Sequence, residues 1–417
     1  MTNRRVVVTG IGAITPIGNN LNDYWTALTE GKSGAAPITL FDATNFKTKF
    51  ACEVKNFSPT DFIDRKEARK LDRFCQFAVV VADQAINDSG IALEKINGDR
   101  AGVIWGSGIG GMDTFYSECA NFATGSGTPR FNPFFIPKLI SDIPAGHISI
   151  KYGFRGPNFT TVSACASSSN ALIDAFNYIK WNKADVFVAG GSEACVKEPG
   201  IGGFNAMMAL STRNEDPKTA SRPFDKERDG FVLGEGGGAL VLEEYEHAKK
   251  RGAKIYAELV GGGMTADAHH ITAPHPEGLG AKNVMTRALE DASLEKQEVD
   301  YINVHGTSTP LGDIAETKAI IELFGDHAYS LNISSTKSMT GHLLGAAGVV
   351  ESIACIMSVK NNIVPPTINH FERDENIDAK LNLTFSESQE KTVNFALSNT
   401  FGFGGHNAST LFKKFSE

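Results

Sequence analysis

The sequence lacks long apolar runs and closely spaced cysteines. Its apolar opening, residues 6–8, is too short for a secretory signal peptide, and no segment approaches the ~20 apolar residues of a membrane-spanning helix. The 6 cysteines are scattered without a C-x-x-C pair, which argues against a zinc site and against a disulfide framework. We therefore expect a cytosolic protein whose cysteines are mostly buried, inert thiols.

An excess of positive charge is also absent. The formal net charge of −8 argues against non-specific binding to nucleic acid, so an acidic partner would need a local basic patch. The chain has 417 residues, of which 41% are hydrophobic and 21% charged. Such a length and balance predict a globular protein of about two or three domains.

Strand-like and helix-like patterns alternate along the chain. The predicted strands cover residues 5–9, 101–106, 184–190, 238–242, 255–260, 301–304 and 391–397. The predicted helices cover residues 68–87, 166–180, 281–292, 314–323 and 342–360. This alternation predicts an α/β fold with largely parallel sheets.

A weak internal repeat divides the sequence. Near residues 160 and 333 a short β-like segment leads into small residues and then into a long helix, and residues 6–12 and 255–263 both run from a strand into glycines. We interpret this as two similar halves, residues 1–252 and 253–417, joined near the basic segment 249–252. Repeats of this strength also arise by chance in α/β chains.

Cys165 is the first candidate for chemistry. It stands in the sequence Ser-Ala-Cys-Ala-Ser, directly before a predicted helix. Unpaired backbone N–H groups and the positive end of the helix dipole stabilise a thiolate at such a position. The small neighbours leave room for a substrate.

Two histidines in the second half are the next candidates. His305 follows a predicted strand and precedes Gly-Thr-Ser-Thr-Pro, at the kind of strand end where α/β folds bind ligands. His342 follows Gly341 in the first turn of the predicted helix 342–360, where the dipole disfavours an imidazolium ion. We expect a neutral His342 that donates an N–H bond. A structural role as a loop cap stays open for His305.

Two further segments contain candidate site residues. Lys337 lies in a Ser/Thr-rich segment, where composition alone favours an ordinary surface lysine. Phe403 stands between glycines in Phe-Gly-Phe-Gly-Gly-His-Asn, so it could gate a pocket or donate its backbone N–H to an oxyanion. The alternative for this segment is a simple tight turn.

The sequence motifs of this chain together resemble those of the β-ketoacyl-[acyl-carrier-protein] synthases. The motifs are those around Cys165, His305, Lys337, His342 and Phe403. The stretch 222–236, which contains Arg-Pro-Phe-Asp, Asp-Gly-Phe and Gly-Glu-Gly, is similar to that family as well. The resemblance covers nearly the whole chain. Length and the Gly-rich loop are most similar to synthase II of type II fatty acid synthesis.

The resemblance implies a fold and a reaction. The fold is the thiolase fold, in which two similar halves form five α-β-α-β-α layers, assembled as a homodimer. The reaction is a decarboxylative condensation of malonyl carrier protein with an acyl-enzyme thioester, without a metal or an organic cofactor. Cys165 would be the nucleophile, His305 and His342 the decarboxylation pair, and Lys337 the residue that orders the site. The backbone N–H groups of Cys165 and Phe403 would form the oxyanion hole.

The resemblance also assigns substrate and partner contacts. Thr307 and Thr309 would contact the phosphopantetheine arm, and Ile109 would line the far end of the acyl channel. Phe134 and Phe135 would line that channel from the other subunit. At position 406 the chain has His where many relatives have Thr, so the geometry of this loop is a point of departure from the family.

A basic patch is the candidate docking site for an acidic acyl carrier protein. Lys66, Arg69 and Lys70 follow one another at helical spacing and would share one helix face. A solvated helix face is the alternative reading of the same pattern.

Three rival functions remain. A thiolase needs a second cysteine near the C-terminal Gly-rich loop, and the sequence has no cysteine after Cys355. A noncatalytic chain-length partner would lack the nucleophile, whereas Cys165 is present. The ketosynthase of a type II polyketide pathway uses the same chemistry and stays open.

Overall fold

The computed structural model describes residues 4–416, and the ten strands of three or more residues form one hydrogen-bonded sheet. Two short strand pairs accompany it, β2 with β3 and β11 with β12. The strands are β1 (Val6–Ile14), β2 (Ala36–Pro37), β3 (Phe50–Ala51), β4 (Ala101–Gly106), β5 (Asn158–Thr161), β6 (Val186–Glu193), β7 (Gly236–Glu244), β8 (Ala257–Ala266), β9 (Tyr301–Asn303), β10 (Asn332–Ser334), β11 (Ile363–Val364), β12 (Gln389–Glu390), β13 (Phe395–Gly402) and β14 (His406–Lys413).

The large sheet consists of two five-stranded sets with the same internal order. The strand order is β5-β4-β6-β7-β1 in the first set and β10-β9-β13-β14-β8 in the second. In each set the first three strands are parallel and the remaining neighbours antiparallel, so the sheets are mixed rather than largely parallel. The sets join through a short antiparallel pairing of β1 with β8, in which Val6 faces Leu259.

Helices cover both sides of the strands. They are α1 (Leu21–Thr29), α2 (Arg65–Ala68), α3 (Arg73–Ser89), α4 (Met112–Thr124), α5 (Phe135–Leu139), α6 (Ile143–Tyr152), α7 (Ser167–Lys180), α8 (Glu198–Ala206), α9 (Tyr245–Lys250), α10 (Leu279–Ala292), α11 (Pro310–Phe324), α12 (Lys337–Thr340) and α13 (Ala347–Asn361).

The packing of these helices gives the five-layered thiolase fold. Helices α7 and α13 lie against each other between the two strand sets and contact strands of both. Helices α3 and α6 cover the outer face of the first set, and α10 with α11 covers the second. The order of layers is therefore α-β-α-β-α, as the family resemblance implies.

The central helix α13 is unusually apolar. Contrary to the expectation from the sequence, residues 344–361 are long and apolar enough to cross a membrane by length and composition alone, yet 89% of this window is buried inside the protein. Burial between two strand sets explains the composition, because both sides of the helix meet apolar side chains.

The repeat seen in the sequence has a local structural counterpart. A 3₁₀ turn precedes each central helix, Ala164–Ala166 before α7 and Leu344–Ala346 before α13. Ala164 and Leu344 both have left-handed backbones, with φ of 50° and 49°. We propose residue 252 as the boundary between the halves, since α9 ends at Lys250 and β8 begins at Ala257.

Candidate active site

Cys165 lies where the first half meets the second. It is the middle residue of the 3₁₀ turn before α7 and is buried. The prediction of a cysteine just before a helix is confirmed. The adjacent left-handed Ala164 costs of order 1–3 kcal/mol, as strained residues at functional sites commonly do.

The two histidines converge on this cysteine. The Nε2 atom of His342 lies 3.0 Å from the Sγ atom of Cys165. The rings of His305 and His342 stand nearly perpendicular, with their centroids 5.2 Å apart. One donor atom from each of the three side chains lies within 4.8 Å of the others. The folded chain thus brings together the three residues that the sequence singled out.

The structural setting of His342 differs from the prediction. Helix α13 begins at Ala347, so His342 lies in an extended segment that pairs with Leu233 rather than in a first helical turn. Its backbone N–H donates to the carbonyl of Val232, which leaves no free helix end at this position. The helix-dipole argument for a neutral ring is therefore wrong.

Burial gives the same protonation state by another route. Desolvation, followed by the charge of Lys337, lowers the pKa of His342 well below its ordinary value. The pKa of His305 is lowered well below the ordinary value by burial first, then by Lys337 and His342. Both rings are neutral at pH 7 and can each donate one N–H bond.

The protonation state of Cys165 is also set by burial. Desolvation raises the pKa of this thiol to about 12, although Lys337 and a hydrogen bond from the Phe403 backbone lower it. The expectation of a thiolate at rest is therefore not met, because loss of water outweighs the nearby positive groups. The neutral Nε2 of His342 is placed to accept the proton.

Lys337 is a buried residue of the site rather than a surface lysine. It is only 1% exposed, and its ammonium group forms a salt bridge with Glu351 of α13. Burial raises the pKa of Glu351 to about 7, and Lys337 opposes this rise. Because Lys337 lowers the pKa of Cys165, His305 and His342, its charge also opposes a metal cation among these three zinc-type ligands.

Glu316 on α11 is a site residue that the sequence analysis did not identify. Its carboxylate accepts hydrogen bonds from the backbone N–H groups of His305 and Gly306, both at 2.9 Å. Asn399 donates to the same carboxylate at 3.2 Å. The carboxylate thereby fixes the chain direction at His305, and burial raises its pKa to about 7. Glu316 lies one helical turn after the segment Thr-Pro-Leu-Gly-Asp, and no local sequence pattern there indicates that its side chain bonds to the backbone at His305.

A cavity of about 670 Å³ opens above Cys165. Its lining contains Cys165, His305 and His342 together with Ile109, Thr307, Thr309 and Phe403. The hydroxyl groups of Thr307 and Thr309 lie 3.1 Å apart at one wall. A cavity of this size and largely apolar lining suits one extended small-molecule chain.

Phe134 and Phe135 do not line this cavity. Phe134 is 41% exposed on the surface, at the start of α5. Phe135 instead stacks on Phe131, with ring centroids 5.5 Å apart, in a surface cluster of aromatic side chains. Their predicted contact from a second subunit stays a prediction.

The Gly-rich loop connects β13 to β14 beside Cys165. Phe403 follows directly on β13, and its backbone N–H lowers the pKa of the Cys165 thiol. Gly404 and Gly405 adopt positive φ angles of 88° and 74°, which explains the need for glycine there. A Cβ on Gly404 would lie 2.9 Å from the ring of His406, the position that departs from the family pattern.

The predicted docking helix is broken. Helix α2 ends at Ala68, and Asp72 caps a separate helix α3, so Lys66, Arg69 and Lys70 do not share one helix face. Lys66 and Arg69 are exposed, whereas Lys70 is half-buried and forms a salt bridge with Glu67. Helix propensity predicted one continuous helix through this segment. The side chain of Asp72 instead accepts a hydrogen bond from the N–H of Phe74, which starts a new helix.

A second cavity, of about 550 Å³, adjoins this segment. Besides Arg69, its wall contains four basic residues that the sequence analysis did not single out: Arg65, Arg73, Lys138 and Lys197. Two of them are already paired, Arg73 with Glu235 and Lys197 with Asp113.

Models of one family match both halves of the chain. The "Beta-ketoacyl synthase, N-terminal domain" matches residues 3–248, and the "Beta-ketoacyl synthase, C-terminal domain" matches residues 256–371. The 3-oxoacyl-[acyl-carrier-protein] synthase 2 of Synechocystis sp. is 50% identical over 99% of this chain and 98% of its own length.

Solved structures give the same result. A β-ketoacyl synthase from Burkholderia phymatum is 36% identical, with a TM-score of 0.91 over 99% of this chain and 100% of its own. One chain in a structure described as a type II polyketide acyl-carrier protein in complex with its ketosynthase is 33% identical, with a TM-score of 0.88 over 100% of both chains. The chain therefore belongs to the β-ketoacyl synthase family, the condensing enzymes of the acyltransferase class.

Proposed function

We propose that this protein is a 3-oxoacyl-[acyl-carrier-protein] synthase that elongates fatty acyl chains by two carbons. The observation that carries the proposal is the convergence of Cys165, His305 and His342 beneath one apolar cavity. The full-length identity to the Synechocystis synthase 2 supports the substrate class.

The first half-reaction transfers an acyl group to Cys165. As the sulfur attacks the thioester carbonyl, the thiol proton passes to Nε2 of His342, 3.0 Å away. The new S–C bond forms, the carrier C–S bond breaks, and the carrier thiol leaves with the proton. The backbone N–H groups of Cys165 and Phe403 stabilise the charge on the carbonyl oxygen, each by roughly 3 kcal/mol.

The second half-reaction forms the carbon–carbon bond. Carbon dioxide leaves the malonyl group, and the electron pair of the broken C–C bond stays on the remaining fragment as an enolate. The enolate oxygen accepts hydrogen bonds from the N–H groups of His305 and His342. The enolate carbon attacks the acyl carbonyl, and the S–C bond of Cys165 breaks with its electron pair on the sulfur. The sulfur takes up one proton from solvent, which restores the thiol, and the 3-oxoacyl product leaves on the carrier. Two neutral imidazoles suit this step because each ring has one N–H to donate. Once Cys165 is acylated, Nε2 of His342 no longer faces a thiol proton, and the tautomer with its proton on Nε2 is the donor.

An acyl carrier protein is the proposed partner for both substrates. Lys66, Arg69 and Lys70 would attract its acidic surface on a protein of net charge −8. Arg73 adjoins this surface at the start of α3, where it pairs with Glu235 just before β7. Thr307 and Thr309, at the cavity wall, would bind the pantetheine arm.

We further propose that the enzyme works in the cytoplasm as a homodimer. Within residues 4–416, strand β5 is the last strand of the sheet and no strand pairs with its outer edge. Between β4 and β5 the chain has four exposed aromatic side chains, Phe115, Phe122, Phe131 and Phe134. Pairing of two such edges would bury this apolar surface and bring Phe134 and Phe135 near the partner's cavity. Light scattering after gel filtration measures the dimer, and cell fractionation measures the location.

Reconstitution with purified carrier proteins tests the function. Carrier protein loaded with an acyl chain and carrier protein loaded with malonate should react together. Each turnover should give one carbon dioxide and one carrier-bound 3-oxoacyl chain that is two carbons longer. Malonyl-independent joining of two acetyl groups would instead indicate a thiolase. Failure of Cys165 to accept a labelled acyl group would indicate a noncatalytic chain-length partner.

A polyketide ketosynthase is the alternative with the same chemistry. Repeated condensation without reduction between the cycles, seen by mass spectrometry, would favour it. A single two-carbon extension that resumes only after reduction of the product supports fatty acid elongation.

A further inference from the structure

A buried carboxylate with no part in the proposed chemistry lies at the end of β6. Glu193 is fully buried, and within residues 4–416 no basic side chain pairs with it. An unpaired buried carboxylate is costly unless hydrogen-bond donors surround it. Its partners therefore indicate what the residue does.

One set of partners is a short loop, residues 107–110, which we call the pocket loop. The Oε1 atom of the carboxylate accepts the Ser107 hydroxyl at 3.1 Å and the backbone N–H groups of Ile109 and Gly110 at 3.2 Å. The Oε2 atom accepts the N–H of Gly108 at 2.7 Å. All four residues of the pocket loop are thus fixed by one side chain.

The remaining partner belongs to the other half of the protein. The N–H of Gly345 donates to Oε2 at 3.1 Å, from the 3₁₀ turn that follows His342. This turn and the pocket loop touch, since a Cβ on Gly345 would lie 2.3 Å from the nitrogen of Gly108. A Cβ on Gly108 would lie 3.2 Å from the carbonyl oxygen of Ala164, next to Cys165.

We propose that Glu193 is a positioning residue for substrate length. Its carboxylate holds the pocket loop against the turn 344–346, so that Ile109 and His342 face the cavity in a fixed relation to Cys165. The inference rests on the proposed acyl transfer and deepens it, because it names a residue that sets the acyl pocket without touching the substrate.

The substitution Glu193→Gln tests this role with little change of volume. Five donors converge on the two oxygens, so an amide must turn its own N–H groups towards other donors and release one side of the pocket loop. A displacement of about 1 Å can cost on the order of a hundredfold in rate. We expect kcat/KM to fall at least about tenfold more for long acyl donors than for short ones.

Glu53→Gln is the matched control. Glu53 is likewise buried and accepts the N–H groups of Thr39 and Leu40 and the Thr39 hydroxyl, but it does not line the acyl cavity. Its ratio of long-chain to short-chain kcat/KM should equal that of the unaltered enzyme. Melting temperatures of both variants measure any general loss of stability.

A second variant shows whether Glu193 acts through Ile109. In an Ile109→Ala background, Glu193→Gln should no longer change the chain-length ratio, because the residue being positioned is gone. An unchanged ratio in folded Glu193→Gln, with equal losses at all lengths, would overturn the proposal. If that variant does not fold, Ser107→Ala removes one donor only, and an unchanged ratio there overturns it. An unaltered protein that condenses no acyl donor would instead reject the proposed function itself.

Discussion

The Nε2 atom of His342 lies 3.0 Å from the sulfur of Cys165, although 177 positions separate the two residues. Each residue belongs to a different half of the fold, and the two central helices that follow them pack against each other. The contact links a thiol with a raised pKa to a base that stays neutral. We therefore expect proton transfer to be part of the acylation step.

The first prediction concerns the nucleophile. Cys165→Ala should reduce acyl transfer by roughly a thousandfold or more, because no other thiol lines the cavity. Radiolabelled acyl thioester measures transfer, and circular dichroism checks the fold. Cys355→Ala, in the core of α13, is the control that should keep acylation. Full labelling of the Cys165→Ala protein would show that another group is the nucleophile.

The second prediction separates the two histidines. Either His305→Ala or His342→Ala should reduce condensation by about 10²–10³-fold, because each removes one donor to the enolate oxygen. Self-acylation should survive better, and better in His305→Ala than in His342→Ala, since only His342 contacts the sulfur within hydrogen-bond distance. Single-turnover acylation and carbon dioxide release measure the two steps. Equal loss of both half-reactions in both variants would contradict this division.

The third prediction concerns pH. The pKa of His342 is lowered by burial, so the ring is unprotonated and available as a base from about pH 6.5 upward. Acylation of the unaltered enzyme should therefore change little with pH above that value. In His342→Ala the rate should rise about tenfold for each pH unit, because the thiol pKa is raised to about 12. Stopped-flow acylation measures both profiles, and identical slopes would exclude His342 as the base.

The fourth prediction concerns docking. Lys66→Glu with Arg69→Glu should raise the KM for carrier-bound substrates roughly tenfold, since each reversed charge changes the interaction by about 0.7 kcal/mol. Free pantetheine thioesters should react normally. Lys183→Glu with Lys250→Glu is the control, because both lysines are exposed and lie near the start of β6 and the end of β7, whereas Arg73 of the basic surface contacts the opposite end of β7. Equal losses with carrier-bound and free substrates would rule out a docking role.

The fifth prediction concerns the acyl pocket. Ile109→Phe should block long acyl donors and spare short ones, because the larger side chain fills part of the cavity that Ile109 lines. Phe403→Ala should instead slow acylation at every length, since it loosens the loop that carries one oxyanion donor. Product profiles by mass spectrometry measure both. A chain-length profile that Ile109→Phe leaves unchanged would place Ile109 outside the acyl channel.

Sequence patterns predicted much of the local structure. Strand β4 was expected at residues 101–106 and is found there, and the helix expected at residues 166–180 is α7. The helix expected from residue 68 is interrupted before Arg73, because the cap by Asp72 competes with helix propensity. The periodicity of apolar residues indicates which side of a segment is buried, but it predicts the first and last residues of a helix poorly.

The sequence alone determined which residues are the catalytic candidates. Cys165, His305 and His342 each stand in a short motif that consists of their immediate neighbours in the chain. The tertiary structure decided the protonation states of these three side chains. The high pKa of the thiol and the neutral histidines follow from loss of water in a closed site. Lys337 is buried because Glu351, on another helix, pairs with it. Burial and such pairings join segments far apart in the chain, and short-range patterns contain no record of them.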